Sequence, residues 1–328
     1  MTPALPAWLS QAIAARLEGV SRHDLAIASA AITSAYRAGG TSKRNVAEAD
    51  TVAAYLTARL PATYAAVSAA LARLAEHAPD FTPLSLADIG AGPGTASFAA
   101  LERFPALTHV AMRDHNDRFL RAARELAGAS HHDALRQADI AAGEAAAGPA
   151  VPPADLVIAA YMLVELPEAA LAPVVARLWQ AAQGALLLVE PGTPEGFRRM
   201  RQARETLLAA GAHILAPCTH ALACPMTGGD WCHFSVRLPR SRDHLAVKRA
   251  EVPFEDERFS YLAVARFEGA THDARILAPP RPAKPGLTFR TCSEGRIEER
   301  FVPARDKAAF RAARRLGWGD VWEPALPD

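Results

Sequence analysis

Two groups of side chains in this chain have types and spacings that chemistry can use. The first lies in LSLADIGAGPGTASFA, residues 84–99, where Asp88 precedes Gly90, Gly92 and Gly94. Glycine at alternate positions lets a chain turn sharply and set bare backbone against a ligand that any side chain would hold away. A helix predicted from Thr95 then aims its N-terminus at the bound group, and Asp88, at the carboxyl end of a predicted strand, reaches a polar ligand in the crevice of an open α/β sheet. The second group is the cysteines. Cys218, Cys224 and Cys232 lie within APCTHALACPMTGGDWCHF and Cys292 within LTFRTCSEG, with five, seven and 59 residues between them. Three thiolates in one short Pro- and Gly-bearing loop, joined by a fourth from a distant strand, form a tetrahedral pocket that pins the C-terminal segment to the core. The gaps exceed the C-x2-C of zinc sites and lean towards an iron–sulfur cluster, which is larger than one ion and accepts wider spans. Zinc stays open as the alternative, with His220 or His233 replacing a thiolate. Four unrelated buried thiols, packed as small hydrophobes, are the plain structural reading.

An apolar run at 84–89, bounded by turn residues, is short enough for a buried strand that would carry the glycine loop. The pattern then alternates: helix 96–104, strand 108–112, helix 118–127, the short strand LRQADI, strand 155–160, helix 168–182 and strand 185–190. Such a βαβ series makes a parallel sheet whose ligands sit at its carboxyl edge. Three further residues fall at that edge. Asp114, 24 residues past Gly90, takes the place of the carboxylate that holds ribose hydroxyls in Rossmann-like sheets, with Asp117 as its competitor. Asp139 follows its short strand and is expected to meet an adenine amino group. Tyr161, with Glu165, stands just beyond the fourth strand.

Residues 1–80 are alanine-rich with apolar residues at helical spacing (Trp8, Ile13, Leu17, then Val52, Leu56, Leu60) and read as a helical region capping the sheet. Pro61 fits the first turn of a helix that ends near His77. Lys43 and Arg44 read as solvated surface. The sheet domain spans 81–268, with a cysteine-rich insertion at 216–250, and 269–328 forms a small C-terminal β/α extension containing GLTFRTCSEGRIEERFVP. Within the sheet domain, DWCHFSVRL and FSYLAVARF alternate like strands and pair as its antiparallel edge. Arg198, Arg199, Arg201 and Arg204 crowd one amphipathic helix, and Arg240, Arg242, Lys248 and Arg249 precede an acidic turn. Lys307, Arg311, Arg314 and Arg315 sit near Trp318 and Trp322 in the tail. A solvated face explains such helices as well as RNA does, whose backbone takes cations and whose unpaired bases stack on aromatics.

The formal net charge of the 328 residues is +1, so no bulk field recruits nucleic acid and no DNA partner is expected. No run approaches the roughly 18 apolar residues of a membrane span. The N-terminus lacks a basic start followed by an apolar core, so a cytoplasmic setting is expected, in which clustered cysteines favour a metal over disulfides.

The spacing G-x-G-x-G after an acidic residue differs from the G-x-G-x-x-G of dinucleotide folds. It resembles the first motif of class I S-adenosylmethionine-dependent methyltransferases, whose loop wraps the methionine and adenosine parts. Taken with AYLTARLPATYAAV, DIGAGPGTA, CTHALACP, DWCHFSVRLPRSRDHLAVKR, FEDERFSYLAVAR and ARRLGWGD, the chain resembles the methyltransferase-like assembly proteins of the mitochondrial small ribosomal subunit and their bacterial homologues, over about residues 54–320. The resemblance implies an α/β fold, a Rossmann-like class I methyltransferase sheet joined to its C-terminal extension by a four-cysteine metal site. It implies S-adenosylmethionine held by Asp88, Gly90, Gly92, Gly94, Asp114, Asp139 and Tyr161, and a [4Fe–4S] cluster on Cys218, Cys224, Cys232 and Cys292. It also implies binding to the small ribosomal subunit and its rRNA during assembly. Enzymes that methylate base amino groups often carry an Asn or Asp, two prolines and an aromatic after the fourth strand. Here stand Ala160, Tyr161, Met162 and Leu163, so no catalytic residue is assigned. Three functions compete: an rRNA methyltransferase, an assembly factor that only binds the cofactor, and a small-molecule methyltransferase with structural zinc. Without a targeting segment, a bacterial, cytoplasmic homologue is expected.

Overall fold

The computed structural model describes residues 3–37, 49–144 and 151–322; Lys43 and Arg44, and residues 145–150, lie outside the described residues. Helices α1 (Ala7–Arg16), α2 (Arg22–Arg37), α3 (Ala49–Ala58) and α4 (Leu60–His77) come first. Pro61 stands in the first turn of α4, where its missing N–H leaves no bond unmade, and the helix runs to His77.

The central body then alternates strand and helix. Its elements are β1 (Ser85–Ile89), α5 (Thr95–Arg103), β2 (His109–Asp114), α6 (Asp117–Gly128), α7 (Asp133–Arg136), β3 (Asp139–Ala142), β4 (Ala154–Ala160), α8 (Glu168–Ala181), β5 (Ala182–Pro191), α9 (Pro194–Ala209), β6 (His213–Ala216), β7 (Phe234–Pro239), α10 (Arg242–Lys248) and β8 (Phe254–Ala265). The strands lie in the order β3-β2-β1-β4-β5-β8-β6, with β7 also on β8. β1 to β5 are parallel, and β8 is antiparallel to β5, β6 and β7. Chain order reverses between β1 and β4, which opens a crevice at their carboxyl ends, the place where Rossmann-like sheets take ligands.

The sequence of β4 shows why helices must cover both faces. Leu156 and Ile158 enter one core with Leu71, Phe98 and Phe119, while Val157 and Ala159 enter the other with Leu171, Val175 and Met200. Each fully buried Leu, Val or Phe stabilises the fold by about 1.5–3 kcal/mol.

The antiparallel edge differs from its expected form. β8 has 12 residues; its first half pairs with β7 and its last residues with β6, while β5 takes its other side. It is therefore interior, and Cys232 precedes β7 in a loop.

A second, antiparallel sheet follows, built from β9 (Ala274–Ile276), β10 (Arg281–Ala283), β11 (Gly286–Ser293), β12 (Arg296–Pro303) and, after α11 (Lys307–Ala313), β13 (Val321–Trp322). Ile276, Phe289, Val302 and Ala313 are its own small core. Ion pairs Arg290–Asp230 and Arg73–Asp320 tie it to the central body. Among the described residues, no helix is long and apolar enough to cross a membrane.

Candidate functional site

The glycine loop leaves β1 with positive φ at Gly90 (70°), Gly92 (53°) and Gly94 (89°). A Cβ on Gly90 would lie 2.7 Å from Met162 Cγ, and one on Gly94 2.8 Å from Phe98 Cζ, so packing forbids a side chain at both. A Cβ on Gly92 would meet only Phe119, at 3.9 Å. There is therefore room beside Gly92, although the residue itself is buried. Asp88 is 1% exposed; its Oδ2 accepts from Ser97 N at 3.0 Å and from Ser97 Oγ at 2.8 Å. Its Oδ1 is buried with no partner, as is Thr95 Oγ1 in the first turn of α5. Burial pushes the Asp88 carboxyl up to about 7, against the two Ser97 hydrogen bonds and with a small addition from Asp114.

Asp114 ends β2 beside the loop, buried. Gly92 N donates to its Oδ2 at 2.8 Å and Asn116 N to its Oδ1 at 2.7 Å. The His115 backbone N–H also bonds this carboxylate, and His115 Nδ1 lies 3.8 Å from Oδ1. Desolvation raises its pKa, with the backbone hydrogen bonds opposing.

Asp139 is not brought to this crevice. It opens β3 instead of following it, pairs in register with Ala111, and is exposed and ion-paired with Arg113. The strand begins at Asp139 and does not end before it, which leaves the side chain level with the middle of β2, short of the carboxyl edge. The competitor Asp117 is the exposed first residue of α6, behind the cap residue Asn116, whose side chain accepts from Arg118 N and Phe119 N.

Tyr161, at the end of β4, has φ 58°, an uncommon conformation for a residue with a Cβ. Its hydroxyl donates to Glu257 Oε1 at 2.9 Å, and Arg59, between α3 and α4, lies 3.6 Å from the same carboxylate and 5.9 Å from the ring centroid. Burial, then Glu257, raises the phenol well above its ordinary value. Sequence reasoning missed Glu190. It is fully buried at the end of β5, and its carboxylate accepts from Leu163 N at 2.7 Å and Val164 N at 3.3 Å, holding the turn that presses Met162 onto Gly90. Burial pushes it up to about 8. The available signal was an acidic residue closing an otherwise apolar strand, LLLVE.

The four cysteines come together. All of them line one cavity of about 50 Å3, with Phe197, Met200, Met226 and Leu277 supplying apolar wall. That is several times the roughly 10–15 Å3 one water needs. Among the described residues, no group of three or more His, Cys, Asp or Glu side chains is arranged to hold a metal ion. His220 Nε2 stands 3.5 Å from Cys292 Sγ, while His233 is stacked on Trp231 and edge-on to Trp318. Burial raises the thiols of Cys218, Cys232 and Cys292, the last to about 12.

Two arginines share the cavity. Arg204, 5% exposed, donates through Nη2 to His220 O at 3.0 Å and Leu222 O at 2.7 Å, and its buried Nε has no partner. Arg275, 1% exposed on β9, donates to Pro217 O, Gly319 O and His77 Nε2, each at 2.8 Å. Desolvation, then Arg275, pushes His77 down to about 4, so it stays neutral and accepts.

The basic runs are largely spent inside the molecule. Arg198 and Arg199 pair with Glu195, Arg201 reaches Met226 O, and Arg240 and Lys248 share Glu255. Trp318 packs edge-on against His233 and Trp322 against Phe289, and both rings are half-buried. Lys307, Arg311, Arg314 and Arg315 are exposed along α11 and the turn after it.

A family model described as mitochondrial small ribosomal subunit Rsm22 matches residues 49–323. The human mitochondrial ribosome assembly protein METTL17 is 27% identical over 308 residues, which cover 83% of this chain and 62% of that protein. The Rsm22-cox11 tandem protein 2 of Schizosaccharomyces pombe, also mitochondrial, is 26% identical over 330 residues, covering 83% of this chain and 43% of that protein. The chain thus spans about half the length of these curated relatives. Among solved structures, an O-methyltransferase family protein from Burkholderia thailandensis aligns with TM-score 0.44 and 15% identity, over 69% of this chain and 63% of that one. The matches overturn the expectation of a bacterial, cytoplasmic protein, because the family and both relatives are described as mitochondrial. With 49–323 matched end to end, the chain belongs to the Rsm22 family.

Proposed function

We propose that the chain is an S-adenosylmethionine-binding, ribosome-associated protein that acts on small-subunit rRNA during ribosome assembly. The observation that carries this reading is a glycine crevice at the sheet's switch point in a chain whose relatives are a ribosome assembly protein and a small-subunit protein. S-adenosylmethionine brings a sulfonium methyl group, an ammonium, a carboxylate and a nucleoside. The unpartnered Asp88 Oδ1 suits a cationic part, the space beside Gly92 leaves room that a side chain would fill, and the Asp114 carboxylate at the end of β2 suits ribose hydroxyls. Met162 packs against Gly90 beside the crevice, and Tyr161 is anchored by Glu257. The all-thiol donor set suits an iron–sulfur cluster on Cys218, Cys224, Cys232 and Cys292, with zinc as the alternative.

Within this reading a non-catalytic role has a specific observation in its favour. The Tyr161 hydroxyl donates to Glu257, a carboxylate that Arg59 also approaches at 3.6 Å, so the phenol beyond β4 is engaged within the fold instead of serving as a base. The test incubates the protein with labelled S-adenosylmethionine and immature small subunits. Calorimetric binding of the cofactor, and co-sedimentation that weakens as salt rises, are expected. No cofactor binding, or association indifferent to salt, overturns the proposal, while labelled rRNA selects the methyltransferase over the binding role.

A further inference from the structure

We propose that Arg204 and Arg275 are the countercharges of a dianionic tetrathiolate centre held by Cys218, Cys224, Cys232 and Cys292. This rests on the reading that the four cysteines bind an inorganic centre, and adds the charge of that centre and the residues that match it.

Both guanidiniums are buried, and none of their acceptors is a carboxylate: backbone carbonyls of His220 and Leu222 for Arg204, which also bonds the Cys218 sulfur, and those of Pro217 and Gly319 and the ring of His77 for Arg275. Among the described residues, neither has a carboxylate within ion-pair distance. A buried charge without a counter-ion is among the costliest features a fold can keep, so an anion is missing from the balance.

The other unsatisfied groups of the cavity wall say the same. Arg204 Nε and the hydroxyl of Tyr261 are buried without partners, and both can donate. With four neutral thiols the cavity holds two net positive charges. Four thiolates around a doubly positive core, either an oxidised [4Fe–4S] unit or a zinc ion, carry two net negative charges, and the two guanidiniums then bring the cavity to neutrality. Both cations line the same cavity as the four sulfurs. They come from different elements, α9 and β9, so loop, helix and second sheet all meet at the centre.

The experiment uses the full chain, purified anaerobically, with iron, acid-labile sulfide and zinc measured per chain and the loss of metal to a chelator followed in time. Iron with sulfide identifies a cluster and zinc alone a single ion; both fit the charge balance. Arg204→Met and Arg275→Met are expected to lose the centre about 10–100-fold faster than wild type, the usual penalty for removing a group that supports metal ligands. Arg204→Lys and Arg275→Lys keep the charge but not the planar fork, and are expected to restore most of the retention. Arg198→Met, on the same helix but paired outside the cavity with Glu195 and Glu168, leaves retention unchanged. Methionine variants that hold the centre as long as wild type overturn the proposal, as do lysine variants that lose it as fast as the methionine ones, since the fork and not the charge is then what matters. Should the methionine forms not fold, the lysine forms decide alone: retention near wild type supports charge balance and loss overturns it. A wild-type protein with neither iron, sulfide nor zinc defeats the underlying reading of the cysteines instead.

Discussion

Replacing Asp88 by asparagine removes a charge while keeping the shape that meets Ser97. The carboxyl, ordinarily near 3.8, is pushed up to about 7 because it is buried near the end of β1 with one oxygen unpartnered. Between about pH 4 and 7 the folded protein therefore holds a proton that the unfolded chain has released. Stability falls as pH rises through that window and levels off above it. At about 1.4 kcal/mol per tenfold, the ionised carboxylate costs the ligand-free protein at most about 4 kcal/mol at pH 8. The asparagine variant escapes that cost. Urea unfolding followed by circular dichroism should give equal stabilities near pH 4 and a variant more stable by about 2–4 kcal/mol at pH 8. Glu190 and Asp114 are raised in the same direction but are present in both proteins, so the difference isolates Asp88. The cofactor reverses the preference, because its positive charge favours the ionised carboxylate. Wild-type affinity should rise from pH 6 to 8 while that of the variant stays flat. Parallel stability curves over the whole range would show that Asp88 does not titrate near neutrality, and the account of its burial would be wrong.

Gly90→Ala combines a strained positive φ with a Cβ 2.7 Å from Met162, and is expected to cost about 2–3 kcal/mol by equilibrium unfolding and to abolish cofactor binding. Gly211→Ala, at φ 76° with nothing within 4 Å of the new Cβ, should cost only about 1 kcal/mol and leave binding intact. Tyr161→Phe leaves Glu257 with Arg59 as its remaining partner at 3.6 Å and should lower stability by about 1–2 kcal/mol in thermal unfolding. Changing Lys307, Arg311, Arg314 and Arg315 together to glutamine should leave the fold unaffected, since all four are exposed, and should reduce the salt slope of rRNA binding by up to about 3. An unchanged slope would move the RNA surface away from α11.

What could be read ahead of the structure was whatever is decided locally. Positive φ at Gly90, Gly92 and Gly94 follows from the turn they must make, and the alternating strands and helices follow from apolar period, so the crevice was legible from residues 84–99 alone. Asp139 shows how narrow that legibility is. A four-residue strand offers too little pattern to fix its ends, and a misplaced end moves a side chain from the ligand edge of a sheet back to mid-strand. The interior place of β8 was hidden for a different reason: pairing with β5, β6 and β7 is long-range, and an alternating strand looks the same at an edge as in the middle.

The cysteine cavity was legible because the chain spends every cysteine on it, but its electrostatics were not. Arg204 sits among Arg198, Arg199 and Arg201, and in the sequence all four belong to one basic helix face. Only the fold separates Arg198, paired at the surface with Glu168 and Glu195, from Arg204, turned inward beside Cys218 without an acid. Arg275 lies in a strand of three residues whose period says nothing about burial. A guanidinium becomes informative once its partners are known, because a buried cation with only neutral acceptors implies an anion. For that reason the charge proposed for a centre on these cysteines was unreadable from their spacing, and it is the property by which the proposal can be tested without any assay of function.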